Sequence, residues 1–328
     1  MTRPIHRLLA AAALLLLLGA ICWMAWTPDR PLDELKARWA QAPSQFMDVN
    51  GLQVHLRDEG QRDDPSPIVL LHGTSASLHT WQGWVEALGT NRRVIRIDLP
   101  GFGLTGPSAA NDYSAEAYVV FVRAAMDKLA VNRFVIGGNS LGGQVAWSVA
   151  LAMPGRVDGL ILVDASGFAP ESFKAVQTTP LGFRLAATPV LRFVSQYTLP
   201  RAVVERSLKD VYGDPSRVTP ALVDLYEAMA LRAGNRQALV RRIEQGYTGD
   251  VARLKDIHVP TLILWGGKDR VVPPECAQRF ARAIAGSQLV MFEELGHLPQ
   301  EEDPVGTVGA VRRFLMPQPA QLAALRAQ

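Results

Sequence analysis

Cysteine is scarce in this sequence. Its two copies, Cys22 and Cys276, stand far apart and one lies inside an apolar run, which argues against a disulfide framework and against a thiolate metal site. Clustered positive charge is lacking as well. The 34 Lys and Arg are interleaved with 31 Asp and Glu, for a net charge of +3, and no basic run carries aromatics that could track a phosphate backbone. Nucleic acid is therefore not an expected partner. Repeats and low-complexity stretches are also missing. A chain of 328 residues that is 48% apolar and 20% charged has core enough for one large domain with an insertion, or for two smaller ones.

One long uncharged apolar run is present. Residues 8–26, "LLAAAALLLLLGAICWMAW", follow Arg3, His6 and Arg7 and as a helix would just cross a hydrocarbon core of about 30 Å. A cleaved signal peptide would show a small-x-small site after the run, but here it ends in Trp23, Met24 and Trp26, residues suited to a membrane interface. The expectation is an uncleaved signal anchor over residues 1–26, with a cleaved signal as the alternative. Ile21 weakens a lipoprotein reading of Cys22. The early positive charges place the amino terminus in the cytoplasm and the remainder on the periplasmic or extracytoplasmic side.

After a polar connector (residues 27–45), "QFMDVNGLQVHLRDEG" reads as two alternating strands around Asn50-Gly51, a pair favoured in type I′ turns. "PIVLLHG" is a short continuous apolar run, which suits a strand buried on both faces and hence a parallel sheet, and "RRVIRIDLPGFG" repeats the form. Residues 114–131 open with Ser114 as N-cap and carry apolar residues at helical spacing. The alternation continues with a strand at 133–138, a helix at 141–152, strands at 157–163 and 259–265, a helix at 274–285, a strand at 287–292 and a helix at about 303–315. Such alternation predicts a mostly parallel sheet with helices on both faces. Residues 169–250 break the rhythm: amphipathic stretches such as "PALVDLYEAMALRAG" and "RQALVRRIEQG" predict a helical cap inserted between two strands. The core is then 46–168 and 251–316, with a tail at 317–328.

Ser140 lies in "FVIGGNSLGGQVAW", on a turn between a predicted strand and a predicted helix at the carboxyl edge of the sheet, where ligands bind in parallel α/β folds. A turn that sharp needs Gly138 and Gly142 to be small, and the helix starting at Leu141 aims its amino end at the serine oxygen. A serine hydroxyl needs a base, itself held by an acid. His297, in "MFEELGHLPQEED" after the last strand, lies on the same edge, whereas His6 precedes the domain and His55 and His258 read as structural or solvated. Asp269 in "LILWGGKDRVVP" is the candidate acid, and Asp164 in "LILVDASG" its rival. Asp98 in "IDLPGFG" reads as closing a loop. The backbone amides of Thr74, in "LLHGTSAS", and of Leu141 are the candidate oxyanion donors, with Ser75 a neighbouring possibility, while His72 shapes the loop.

Taken in order, "HGTS", "DLPGFG", "GNSLGG", "GGKDRVVP" and "GHLPQEED" resemble the α/β-hydrolase superfamily over about residues 46–316. The resemblance implies an α/β-hydrolase fold, a mostly parallel eight-stranded sheet with helices on both faces, and a nucleophile, acid, histidine order of Ser140, Asp269, His297. It implies neither metal nor organic cofactor. Epoxide hydrolases and haloalkane dehalogenases of that superfamily carry a carboxylate where this chain has Ser140. Its C–C bond hydrolases of ring-fission diketones share a "GNS" elbow, but there Trp typically follows the histidine, where this chain has Leu298. The expected function is a serine hydrolase, an esterase or lipase-like enzyme acting on ester or lipid-like substrates of apolar acyl groups. The alternatives are C–C hydrolysis and a non-catalytic binding protein on the same scaffold.

Overall fold

Asn50 and Gly51 both have positive φ, 55° and 83°, as a type I′ turn requires, and they join β1 (Ser44–Val49) to β2 (Leu52–Glu59) in an antiparallel hairpin. The computed structural model describes residues 26–88, 91–168, 181–182, 185, 188–246 and 249–316. The apolar run expected to be an anchor lies outside these residues except for Trp26, as does the tail. Among the described residues no helix is long and apolar enough to cross a membrane.

Six further strands follow: β3 (Ile68–Leu71), β4 (Val94–Ile97), β5 (Phe134–Asn139), β6 (Val157–Val163), β7 (Thr261–Gly266) and β8 (Gln288–Phe292). They form one eight-stranded sheet in the order β1-β2-β4-β3-β5-β6-β7-β8, antiparallel around β2 and parallel from β4 to β8. Every residue of β3, β4, β5 and β7 is buried, which is why their sequences are continuous apolar runs rather than alternations. One face of the sheet packs on the helices Ala115–Lys128, Leu141–Ala152 and Glu275–Ala283 through Val122, Met126, Val145, Val149 and Phe280. The other packs on Gln82–Leu88 and Pro304–Leu315 through Trp84, Leu88, Val308 and Val311. Each fully buried Leu or Val contributes roughly 1.5–3 kcal/mol.

The order of the strands locates the site. From β3 the chain steps outward to β4 and then crosses back over β3 to β5, after which it advances the other way to β8. The succession therefore reverses between β3 and β5, and the crevice outside their carboxyl ends is the place where doubly wound sheets bind ligands.

Between β6 and β7 the described residues contain helices Pro189–Ser195, Arg201–Val211, Pro220–Leu231 and Asn235–Gln245 and no strand. The segment read as a polar connector contains more than that. Leu32–Trp39 is a helix whose buried Leu35 packs with Leu104, Ala228 and Met229. The expected final helix is found at Pro304–Leu315, with Asp303 capping it through Gly306 N–H, and a short helix, Pro299–Glu302, precedes it and stops where Pro304 begins the next.

Candidate active site

Ser140 sits between β5 and the helix Leu141–Ala152 with φ 54° and ψ −116°, a conformation that costs a non-glycine residue roughly 1–3 kcal/mol. The surroundings hold it there. Its N–H donates to the Val163 carbonyl at 3.0 Å, and its carbonyl accepts from Ser166 N–H and Gln144 N–H, both at 3.0 Å. A Cβ on Gly138 would overlap the Gly142 carbonyl, and one on Gly142 would overlap the Leu71 carbonyl, so both glycines are required by the closeness of the two backbones.

His297 and Asp269 meet on the same edge although 28 residues separate them. The His297 Nδ1–H donates to Asp269 Oδ2 at 2.8 Å, which leaves Nε2 as the basic nitrogen. Asp269 Oδ1 accepts from Val271 N–H at 2.7 Å and Val272 N–H at 3.0 Å, so the carboxylate is fixed by its own turn. Asn139, the residue before Ser140, ties the two loops together: its Nδ2 donates to the His297 carbonyl at 2.9 Å and to that of Val163 at 3.2 Å. Ser140, Asp269 and His297 are all buried. The Ser140 hydroxyl lies 3.5 Å from the Ser166 hydroxyl.

The candidate oxyanion donors flank the serine. A Cβ on Gly73 would come within 2.8 Å of Asn139 Oδ1 and 3.1 Å of Ser140 Cβ, which measures how tightly the loop after β3 presses on the elbow. Thr74 follows Gly73 directly, and Leu141 follows Ser140. Neither N–H donates to an acceptor among the described residues, so both remain available to an incoming oxyanion. The neighbouring Ser75 has φ 61°. His72 is a loop-shaping residue, with Nδ1–H donating to the Gly73 carbonyl at 2.7 Å and Nε2 accepting from Leu99 N–H at 3.0 Å; burial holds its pKa low. Asp98 closes the neighbouring loop by accepting from Leu78 N–H and Leu104 N–H and from His55 Nδ1, at 2.6, 2.7 and 2.7 Å. His258 is exposed.

The rival acid is close but differently placed. Asp164 has φ 46°, is fully buried, and accepts from Gly266 N–H at 2.9 Å through Oδ1, while Oδ2 has no partner. Burial first, and then the nearby Asp269, push its carboxyl well above the usual range. One donor atom each from Asp164, Asp269 and His297 lie within 4.8 Å of one another, a grouping that could in principle bind a cation. Both Asp269 oxygens and one of Asp164 are already engaged with N–H donors, so a metal would have to compete with those donors for Asp269. The donor set fits a hydrogen-bonded relay better than a metal site.

Three contributors carried no sequence signal of their own. Ser166 stands two residues beyond Asp164 on the same edge, and its distance from the elbow in sequence hides it. Glu302 Oε1 accepts from Gly296 N–H at 2.7 Å, and Oε2 from Gly213 N–H at 2.9 Å and Asp214 N–H at 3.2 Å, so it clasps the His297 loop to the segment after Arg201–Val211. Glu301 accepts from the hydroxyls of Thr80, Tyr212 and Tyr226. His297 N–H itself donates to the Val211 carbonyl at 2.8 Å. Two cavities flank the site without being lined by Ser140. One, of about 300 Å³, includes the charged residues Arg217, Lys268 and Glu294; the other, of about 20 Å³, includes Ser75, Phe102, Met229 and Leu239.

Comparison with known proteins agrees with the fold. The chain is 28% identical over 270 residues to the 2-hydroxy-6-oxo-2,4-heptadienoate hydrolase of Pseudomonas putida F1, covering 81% of this chain and 94% of that one. Among solved structures it is similar to the meta-cleavage product hydrolase CumD of Pseudomonas fluorescens IP01, with 27% identity, a TM-score of 0.70, and coverage of 82% of this chain and 96% of that one. A bacterial membrane phospholipase A shares the fold at 24% identity and a TM-score of 0.72, over 94% of this chain and 98% of that one. The family model of the alpha/beta hydrolase fold matches residues 66–304, and the chain belongs to that family.

Proposed function

We propose that the chain is a serine hydrolase that cleaves carboxylic esters of apolar acyl groups through an acyl-enzyme intermediate, held at a membrane by residues 8–26 with its hydrolase domain on the extracytoplasmic side. The observation that carries this reading is the strained Ser140 at the β5 turn on the same buried edge as a His297 whose Nδ1 is bonded to Asp269. In the reaction His297 Nε2 takes the Ser140 proton as Oγ attacks the ester carbonyl. Asp269 holds the imidazole in the required tautomer and stabilises the imidazolium. The oxyanion is received by the N–H groups of Thr74 and Leu141 at the helix terminus. His297 then protonates the leaving alcohol, and water attacks the acyl-enzyme by the same route in reverse. Burial of Ser140 and His297 keeps bulk water from the charged intermediate, which strengthens each of these interactions.

C–C hydrolysis of ring-fission diketones is a second reading, favoured by the likeness to the Pseudomonas putida and CumD hydrolases. It would use the same serine and histidine. Against it stands Leu298, a buried aliphatic residue directly after His297 where the C–C hydrolases typically carry Trp. Turnover of a chain-length series of nitrophenyl esters, measured beside a ring-fission diketone with Ser140→Ala as control, separates the two. Ser140-dependent ester turnover with weak diketone turnover is expected, and turnover of the diketone alone would transfer the reading to C–C hydrolysis.

A further inference from the structure

The chain that leaves the apolar run is fastened to the helical insertion. Thr27 N–H donates to the Tyr197 carbonyl at 2.9 Å, and Leu199 N–H donates to Thr27 Oγ1 at 3.1 Å. Arg236 Nη2 donates to the Thr27 carbonyl at 2.7 Å and to Asp29 Oδ1 at 2.6 Å. Arg30 N–H donates to the Leu231 carbonyl at 2.6 Å, and its own carbonyl accepts from Ala233 N–H at 2.9 Å. Within four residues of Trp26 the chain is therefore bound through its backbone at Tyr197 and at Leu231 to Ala233, and through the Thr27 hydroxyl at Leu199, all in the insertion. Whatever surface the apolar run enters, the insertion is the part of the protein held against it.

Beside the first of these fastenings lies Pro189–Ser195, a helix in which no residue is buried. Val190, Phe193, Val194 and Tyr197 follow the i, i+3, i+4, i+7 spacing of one helical face, with Leu191 at its margin. These five side chains and Trp26 are between 42% and 72% exposed. They are six of the nine large hydrophobic side chains exposed among the described residues, gathered in one place. The rings of Phe193 and Tyr197 meet edge to face with centroids 5.5 Å apart, so the stripe is ordered by its own contacts. Arg192 turns the other way, with its guanidinium 3.9 Å from Glu244. An apolar stripe with aromatic tips and a basic residue on the opposite flank is the pattern of a helix lying in a bilayer interface.

We propose that the stripe Val190, Leu191, Phe193, Val194 and Tyr197, continued by Trp26, docks on the lipid bilayer that residues 8–26 enter and lays the insertion flat against it. The inference rests on the anchor reading given above. A bilayer is favoured over a soluble protein partner because Thr27, the residue directly after the apolar run, is itself bonded to Tyr197, so a membrane holding that run is presented to the stripe at very high effective concentration. Docking there orients the insertion toward lipid, which suits ester substrates with long apolar acyl chains.

The test uses the full-length chain with Cys22→Ser, so that only an introduced cysteine reacts, the native Cys276 being fully buried. An environment-sensitive NBD fluorophore is attached at Phe193→Cys or, as control, at Gly155→Cys, an exposed turn at the opposite end of β6 with nothing near its Cβ position. The protein is reconstituted into phosphatidylcholine and phosphatidylglycerol vesicles, and flotation reports insertion. The expected result is blue-shifted emission at position 193, quenched at least threefold by lipids spin-labelled near the headgroup, with no change at position 155. Flotation with an aqueous, unquenched probe at 193 would overturn the docking while leaving the anchor intact. A blue shift that depends on protein concentration and ignores spin-labelled lipid would replace the bilayer by a second copy of the chain. Failure to float would overturn the anchor reading, and the docking with it.

Discussion

The elbow around Ser140 and the clasp around Glu302 are both buried and both position His297 relative to Ser140, yet they are built by different means. At the elbow the backbone does the positioning: two glycines whose Cβ atoms have no room, a serine at φ 54°, and amides left free for an oxyanion. At the clasp, side chains do it: the Glu302 carboxylate gathers N–H groups from the His297 loop and the insertion, and Glu301 gathers three hydroxyls. Backbone geometry is all or nothing, because an overlap of main-chain atoms has no partial remedy. A web of polar side chains loses strength one bond at a time.

The contrast can be broken in order of effect. His297→Ala should lower ester turnover on the order of 10^6-fold without unfolding the protein, as removal of a base acting in concert with its nucleophile does. The two acids give the next largest separation. Asp269→Asn should cost about 10^4-fold in kcat by favouring the wrong imidazole tautomer, while Asp164→Asn should cost less than about tenfold, since an amide oxygen can still accept from Gly266 N–H. Equal losses from both would place Asp164 in the relay. Gly142→Ala should destabilise by more than about 3 kcal/mol in denaturant unfolding, because the added Cβ meets the Leu71 backbone. Tyr212→Phe, which removes one of three hydroxyls on Glu301, should cost only about 1 kcal/mol and leave kcat within a few-fold.

The smallest expected effect is a pH slope. Asp164, facing Asp269, His297 and Glu302, keeps its proton in the folded state at pH values where the unfolded chain has released it. Its folded-state pKa is raised, so the stability linked to it is present below the ordinary carboxylate pKa and declines as pH rises through the folded one. Asp164→Asn cannot titrate, and thermal unfolding between about pH 4 and pH 8 should show a flatter profile for it than for the unmodified protein.

What the sequence discloses follows the same division. The strands are legible because β3, β4, β5 and β7 are buried on both faces and so are written as unbroken apolar runs. The elbow is legible because Gly138, Ser140 and Gly142 act within five residues of one another. His297 and Asp269 are legible as loop residues at strand ends. Glu302 is not: its partners include Gly213 and Asp214, 89 and 88 residues away, and an acidic residue after a loop looks the same whether it is solvated or clasping. Leu32–Trp39 was hidden by its charged face, since only Leu35 among its residues is buried and its packing partners come from elsewhere in the chain. Ser166 is equally silent, because its proximity to Ser140 is created by the pairing of β5 with β6.

The central claim is that Ser140 is a nucleophile activated by His297, and covalent labelling tests it most directly. Incubation with a fluorophosphonate, followed by mass spectrometry of the intact protein and its peptides, should show one adduct per chain on the peptide containing Ser140. It should be lost in Ser140→Ala and slowed strongly in His297→Ala. An unlabelled protein that is folded by circular dichroism, or labelling that persists in Ser140→Ala, would contradict the account.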